Sequence, residues 1–205
     1  MNKLLKNTIF YSLGEICPRI ISFLLLPIYT QYLSTSDYGI LAYTNTVVSF
    51  LYVLGALALN SYVLRYYFIH TEESQRKQMI GSIYGTIFLM NLLILLLAYA
   101  TLPHAIVYFH LQIPWDPYFK LAILVNFLDS FSIIPLVIYR VRQQAQFFVC
   151  LSLGRTLLQV VLNIYFIVFL ESGLIGYYYA AILAYLPFLF VYLGIIRKYA
   201  SFKIT

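Results

Sequence analysis

The chain has 205 residues, of which 62% are hydrophobic and only 10% charged, and its mean hydropathy is +0.85. An ordinary soluble domain carries about 25% charged residues, so the composition excludes one and points to a single bundle of membrane helices. The net charge of +6 would suit a nucleic-acid binder, but the basic residues are placed as membrane topology requires, and no nucleic acid is expected.

Six apolar stretches are long enough to cross roughly 30 Å of hydrocarbon: 8–33, 39–64, 79–101, 117–139, 146–170 and 174–196. The segment before the first is not read as a cleavable signal, because the apolar stretch that follows is too long and lacks a small-residue cleavage site. The first crossing carries Glu15 and Arg19, one turn apart on one face and about 6 Å along the axis, with the acid first. It also holds Pro18 and Pro27, which remove the backbone partners of the Gly14 and Phe23 carbonyls. Bends are predicted at both prolines, with the freed carbonyls turned to a cavity or a neighbouring helix.

The pattern Gly81-x-x-x-Gly85 opens the third span and predicts close helix packing. The connection 102–116 is long and half apolar, and is predicted to lie along the outer interface, anchored by Tyr108 and Trp115. His104 and His110 have no nearby cysteine or carboxylate pattern, and neither a metal nor a cofactor is expected. Cys17 and Cys150 lie in apolar runs and are read as small buried hydrophobes. Tyrosines gather at the span ends (Tyr29, Tyr32 and Tyr38; Tyr66 and Tyr67; Tyr177, Tyr178 and Tyr179), as an aromatic belt requires.

Lys3, Lys6, Arg65, Arg76, Lys77, Arg140, Arg142, Arg197, Lys198 and Lys203 all fall on alternate connections or the termini. The opposite connections, 34–38, 102–116 and 171–173, hold no Lys or Arg, so both termini are predicted to be cytoplasmic.

Polar residues within the spans form stripes. Ser12, Glu15, Arg19 and Ser22 share one face of the first span, and Ser152, Arg155, Gln159 and Asn163 share one face of the fifth. The second has Asn45, Ser49 and Tyr52, and the fourth has Asn126, Asp129 and Ser130. Counted at 1.5 Å per residue, Arg19, Arg155 and Asp129 lie about 14–16 Å into their spans. Ionised groups at that depth cost roughly 2.5–3.5 kcal/mol each on insertion scales, so they must pair, or face water or an ionic ligand. Two acids and two bases balance, and two structural salt bridges are one reading. The other is a polar pathway whose arginines exchange partners with an anionic headgroup. No H-E-x-x-H, G-x-S-x-G or P-loop is present, and the chain is not read as an enzyme.

The run Leu26-Pro27-Ile28-Tyr29-Thr30-Gln31-Tyr32-Leu33-Ser34, followed by Asp37-Tyr38-Gly39-Ile40, resembles the start of Wzx-type polysaccharide flippases. These belong to a superfamily with the multidrug (MATE) exporters and the lipid II flippase. The stretch 55–68, with Asn60-Ser61-Tyr62-Val63-Leu64-Arg65-Tyr66-Tyr67, resembles the second span of that family. Arg197-Lys198-Tyr199 is similar to its basic link into a second half.

The resemblance implies an all-α integral membrane fold of two six-helix lobes around a central cavity, of which residues 1–205 form one lobe. It implies outward movement of a polyprenyl-pyrophosphate-linked oligosaccharide by alternating access across the bacterial cytoplasmic membrane. The implied partners are the bilayer, the lipid-linked glycan and a second six-helix lobe, in a longer chain or a pairing subunit, entering in the same orientation.

Arg19 and Arg65 match the family's arginines on its first two helices, whereas Arg155 and Asp129 rest on the stripes. In this reading Arg19 and Arg155 attract the pyrophosphate, and Glu15 and Asp129 hold those arginines when no substrate is bound. Gln159, Asn163 and Asn45 line the cavity, and Pro18 and Pro27 act as hinges. The alternatives are an ion-coupled drug exporter with Asp129 or Glu15 as its cation site, and a non-transporting membrane partner of glycan synthesis.

Overall fold

The computed structural model describes residues 3–109 and 113–202, with side chains from residue 7 onward. Its regular elements are all helical: α1 Lys3–Tyr32, α2 Thr35–Ala56, α3 Leu59–Tyr66, α4 Glu73–Tyr108, α5 Lys120–Val141, α6 Ala145–Asn163 and α7 Gly173–Tyr199. A wider-wound turn, Trp115–Phe119, leads into α5 with a kink at Asp116, and another, Ile164–Phe169, continues α6. Among the described residues, six helices are long and apolar enough to cross a membrane: Asn7–Tyr32, Thr35–Ala56, Glu73–Tyr108, Trp115–Val141, Ala145–Phe169 and Gly173–Tyr199.

The α1–α2 turn is tight because α2 starts with a reciprocal cap. The Asp37 amide donates to Ser34 Oγ at 3.2 Å, and the Ser34 amide donates to Asp37 Oδ2 at 3.0 Å. The core lies among α4, α5 and α7, where Ile83 and Ile87 meet Ile134, Ile138, Tyr192 and Ile196. In lipid such contacts stabilise by packing more than by exclusion of water, which favours small residues at close crossings. Ala180, Ala181 and Ala184 serve this on α7, each at most 1% exposed.

α1 lies on α6 and α2 lies on α5, with little contact between α1 and α2 themselves. The starts of α1 and α4 and the ends of α5 and α7 share one end of the bundle. There the Tyr11 hydroxyl donates to the Arg140 carbonyl at 3.4 Å, and the Ser201 amide donates to the Lys77 carbonyl at 2.8 Å.

Several sequence expectations change. The second span does not run unbroken over 39–64: Leu57 and Ala58 take left-handed backbone conformations, with φ of 47° and 53°, and separate α2 from α3. The connection 102–116 is helical in its first half, because α4 continues through Pro103 to Tyr108. Tyr99 secures that extension by packing its ring edge-on against Trp115 at 5.3 Å and donating to the Lys120 carbonyl at 2.8 Å. His110 lies outside the described residues.

α1 is unbroken through Pro18 and Pro27. Of the glycine pair, only Gly81 is at a close approach, where an added Cβ would lie 2.2 Å from the Ser201 carbonyl oxygen, while Gly85 faces open space. Cys150 is exposed. Tyr67 and Tyr178 are buried inside the bundle and cannot form a belt, whereas Tyr32 and Tyr179 are exposed as a belt requires.

Candidate functional site

The stripes meet in a cavity of about 450 Å³. α1 contributes Glu15, Pro18 and Arg19, α2 gives Tyr52 and α3 gives Asn60; α5 gives Asp129, Ser132 and Arg140, and α6 gives Ser152 and Arg155. Its neighbours share its walls. A cavity of about 370 Å³ shares Tyr52 and Asp129 and adds Ser49 and Asn126. Another, of about 160 Å³, shares Pro18 and Arg155 and adds Ser22, Tyr29, Gln159 and Asn163. A fourth, of about 170 Å³, contains Asn45, Gln159, Tyr177 and Tyr185. Seven of the eight cavity residues expected from the sequence therefore line one or another of these cavities; Arg65, on the last turn of α3, is exposed and lines none of them.

The charge partners differ from those expected. Glu15 is bonded to Arg140, whose guanidinium also lies 5.0 Å over the Phe148 ring, and not to Arg19. Arg19 is exposed to the cavity and has no hydrogen-bond or ion-pair partner among the described residues. Asp129 Oδ1 accepts from the Tyr185 hydroxyl at 2.6 Å and from Ser132 Oγ at 3.2 Å. Arg155 makes no direct ion pair with Asp129; its guanidinium sits 4.6 Å over the same Tyr185 ring. One tyrosine thus steadies an acid with its hydroxyl and a base with its face.

The Gly14 carbonyl freed by Pro18 accepts from Ser152 Oγ at 2.8 Å, which fixes α1 to α6 beside the charges. A Cβ at Gly14 would lie 2.7 Å from the Phe148 ring, so the two helices touch closely there.

Sequence reasoning assigned Arg140 to membrane topology and overlooked Tyr185, Ser132 and Asn60. A signal for Arg140 existed: Asp129, Ser132, Leu136 and Arg140 step by three, four and four along one face of α5. No group of three or more potential metal ligands occurs among the described residues.

The family described as polysaccharide biosynthesis protein matches residues 4–204. A protein of the Lsg locus of Haemophilus influenzae is 29% identical over 72 residues, which are 35% of this chain and 18% of that protein. The matched stretch spans less than a fifth of that relative. No solved structure matches the chain.

Proposed function

We propose a function from one premise: the chain belongs to the polysaccharide biosynthesis protein family. It is a multi-pass helical protein, and we read it as a six-helix lobe that carries a polyprenyl-diphosphate-linked oligosaccharide across the bacterial cytoplasmic membrane. Both termini are then cytoplasmic, at the end of the bundle rich in Lys and Arg.

One observation carries this reading: three arginines and two carboxylates line a single cavity, and Arg19 has no hydrogen-bond or ion-pair partner among the described residues. An uncompensated guanidinium at membrane depth attracts an anion, and its fork of donors fits phosphate oxygens. Arg155 is held by an aromatic face and not by a carboxylate, so it can turn to the diphosphate without stripping Asp129 of Tyr185 and Ser132. Glu15 meanwhile neutralises Arg140. The surplus positive charge argues against a cationic drug as cargo.

α1 and α2 both contribute to the walls yet share little contact, and we place the mouth of the cavity between them. A second six-helix unit, in the same longer chain or as a partner, would cover that mouth and rock against this one to alternate access. No covalent chemistry is needed in this scheme.

The test is Arg19→Gln in the native protein, expressed in a flippase-deficient strain with membrane insertion verified. Surface polysaccharide should be lost while its lipid-linked precursor accumulates. Normal surface polysaccharide would overturn the assignment.

A further inference from the structure

We propose that the cavity of about 160 Å³ beside the charged one seats a single neutral sugar ring, the one joined to the diphosphate. The inference rests on the anion site above and adds a subsite to it. Asn163 carries it. Asn163 is 3% exposed and lines this cavity; its Nδ2 donates to the Tyr29 hydroxyl at 2.8 Å, and its Oδ1 has no hydrogen-bond partner among the described residues. Turning the amide over would satisfy the oxygen and leave the NH2 group without its partner, so one end of it lacks a hydrogen bond in either orientation.

A buried amide with an open end is a place for a ligand that both donates and accepts. Gln159, one turn earlier on the same face of α6, brings a second amide to the cavity. The rings of Tyr29 and Tyr177 meet edge to face, with centroids 6.2 Å apart at 90°, and both line it. Such rings offer flat apolar walls to the C–H faces of a pyranose, while the amides meet its hydroxyls.

Charge narrows the choice. No acid lines this space and Arg155 does, which disfavours a metal cation or an ammonium group. Apart from Arg155 the polar wall is neutral, which suits a polyol better than a second anion. A volume near 160 Å³ equals about five waters at roughly 30 Å³ each, the scale of one ring and not of a sugar chain. Arg155 borders both cavities, so a phosphate on it would hand the next group of the headgroup to Asn163.

The test uses the whole chain in lipid nanodiscs and two probes: polyprenyl diphosphate bearing one N-acetylglucosamine, and the same lipid without sugar. The native chain should bind the sugar lipid at least about tenfold more tightly, a difference within reach of a few added hydrogen bonds. Asn163→Leu, and separately Gln159→Leu as a second variant against misfolding, should remove that preference with the bare lipid still bound. Arg155→Gln should weaken both lipids. Equal binding of the two lipids by the native chain, or a preference that survives both amide substitutions, would overturn the sugar pocket and leave the anion site standing. Binding of neither lipid would overturn both.

Discussion

Glu15 on α1 is bonded to Arg140 on α5, and Arg19, one turn along the same helix, has no counter-ion among the described residues. The pairing across helices takes precedence over the local i,i+4 pair because Arg140 and Glu15 line the same cavity wall at the point where Gly14 brings α1 against Phe148. The bond therefore sets which arginine is available to a ligand.

Glu15→Gln should change function more than stability. The two side chains are 35% and 52% exposed, and a pair so open to solvent contributes about 0.2–1 kcal/mol. For a chain of this size that is a shift of less than about 4 °C in the thermal midpoint, measurable in detergent by fluorescence-detected size exclusion. The swap of Glu15→Arg with Arg140→Glu should restore transport in the complementation assay, whereas either change alone should not.

The Ser152 hydroxyl substitutes for the N–H that Pro18 lacks, by donating to the Gly14 carbonyl. Ser152→Ala alone should lower stability by about 1–3 kcal/mol, because it strands a carbonyl away from water. Pro18→Ala supplies a backbone N–H to the same oxygen, so in the Ser152→Ala background it should recover most of the loss. A double-mutant cycle of thermal midpoints measures this coupling, and additive single effects would contradict it.

The stripes of α1, α2, α5 and α6 were legible in the sequence because each is a property of one helix at its own period. Which stripes touch is a property of pairs of helices. The Glu15–Arg140 bond, the Tyr185 bridge and the open state of Arg19 were therefore out of reach. Spacing also identified Gly14 as a carbonyl in need of a donor but could not name Ser152. The break at Leu57–Ala58 has no Gly or Pro at either position, and a lone Gly55 two residues earlier does not by itself end a helix. Tyr67 and Tyr178 were misread as a belt because position near a span end says nothing of whether a ring turns outward. Tyr178 turns inward to Thr44, with the two hydroxyl oxygens 2.6 Å apart.

The two glycines of the third span should part company on substitution. Gly81→Ala drives a methyl group against the Ser201 backbone, which cannot move as a side-chain tip would, and should cost about 1–3 kcal/mol. It should also loosen the segment after α7, whose Ser201 amide is held by the Lys77 carbonyl, and raise its cleavage rate in limited proteolysis. Gly85→Ala, with nothing within 4 Å, should be neutral or slightly stabilising through helix propensity.

The bend between α2 and α3 should be strained and held by its surroundings. Leu57 and Ala58 lie consecutively at φ of 47° and 53°, a region that costs an L-residue roughly 1–2 kcal/mol. Two features offset this. Asn91 Nδ2 donates to the Gly55 carbonyl at 3.2 Å and to the Ile87 carbonyl at 2.8 Å, and beyond the bend Val63 and Tyr67 are buried in the core. Asn91→Leu should therefore destabilise by about 1–3 kcal/mol. Ala58→Gly relieves the left-handed cost and loses about 0.5–1 kcal/mol to chain entropy, so it should raise the thermal midpoint slightly or leave it unchanged. The same Ala→Gly change within the regular part of α7, at Ala184, should lower it by removing a fully buried methyl group. If Ala58→Gly proved as harmful as Ala184→Gly, the bend would be carrying no backbone strain, and the span would be free to straighten over 39–64.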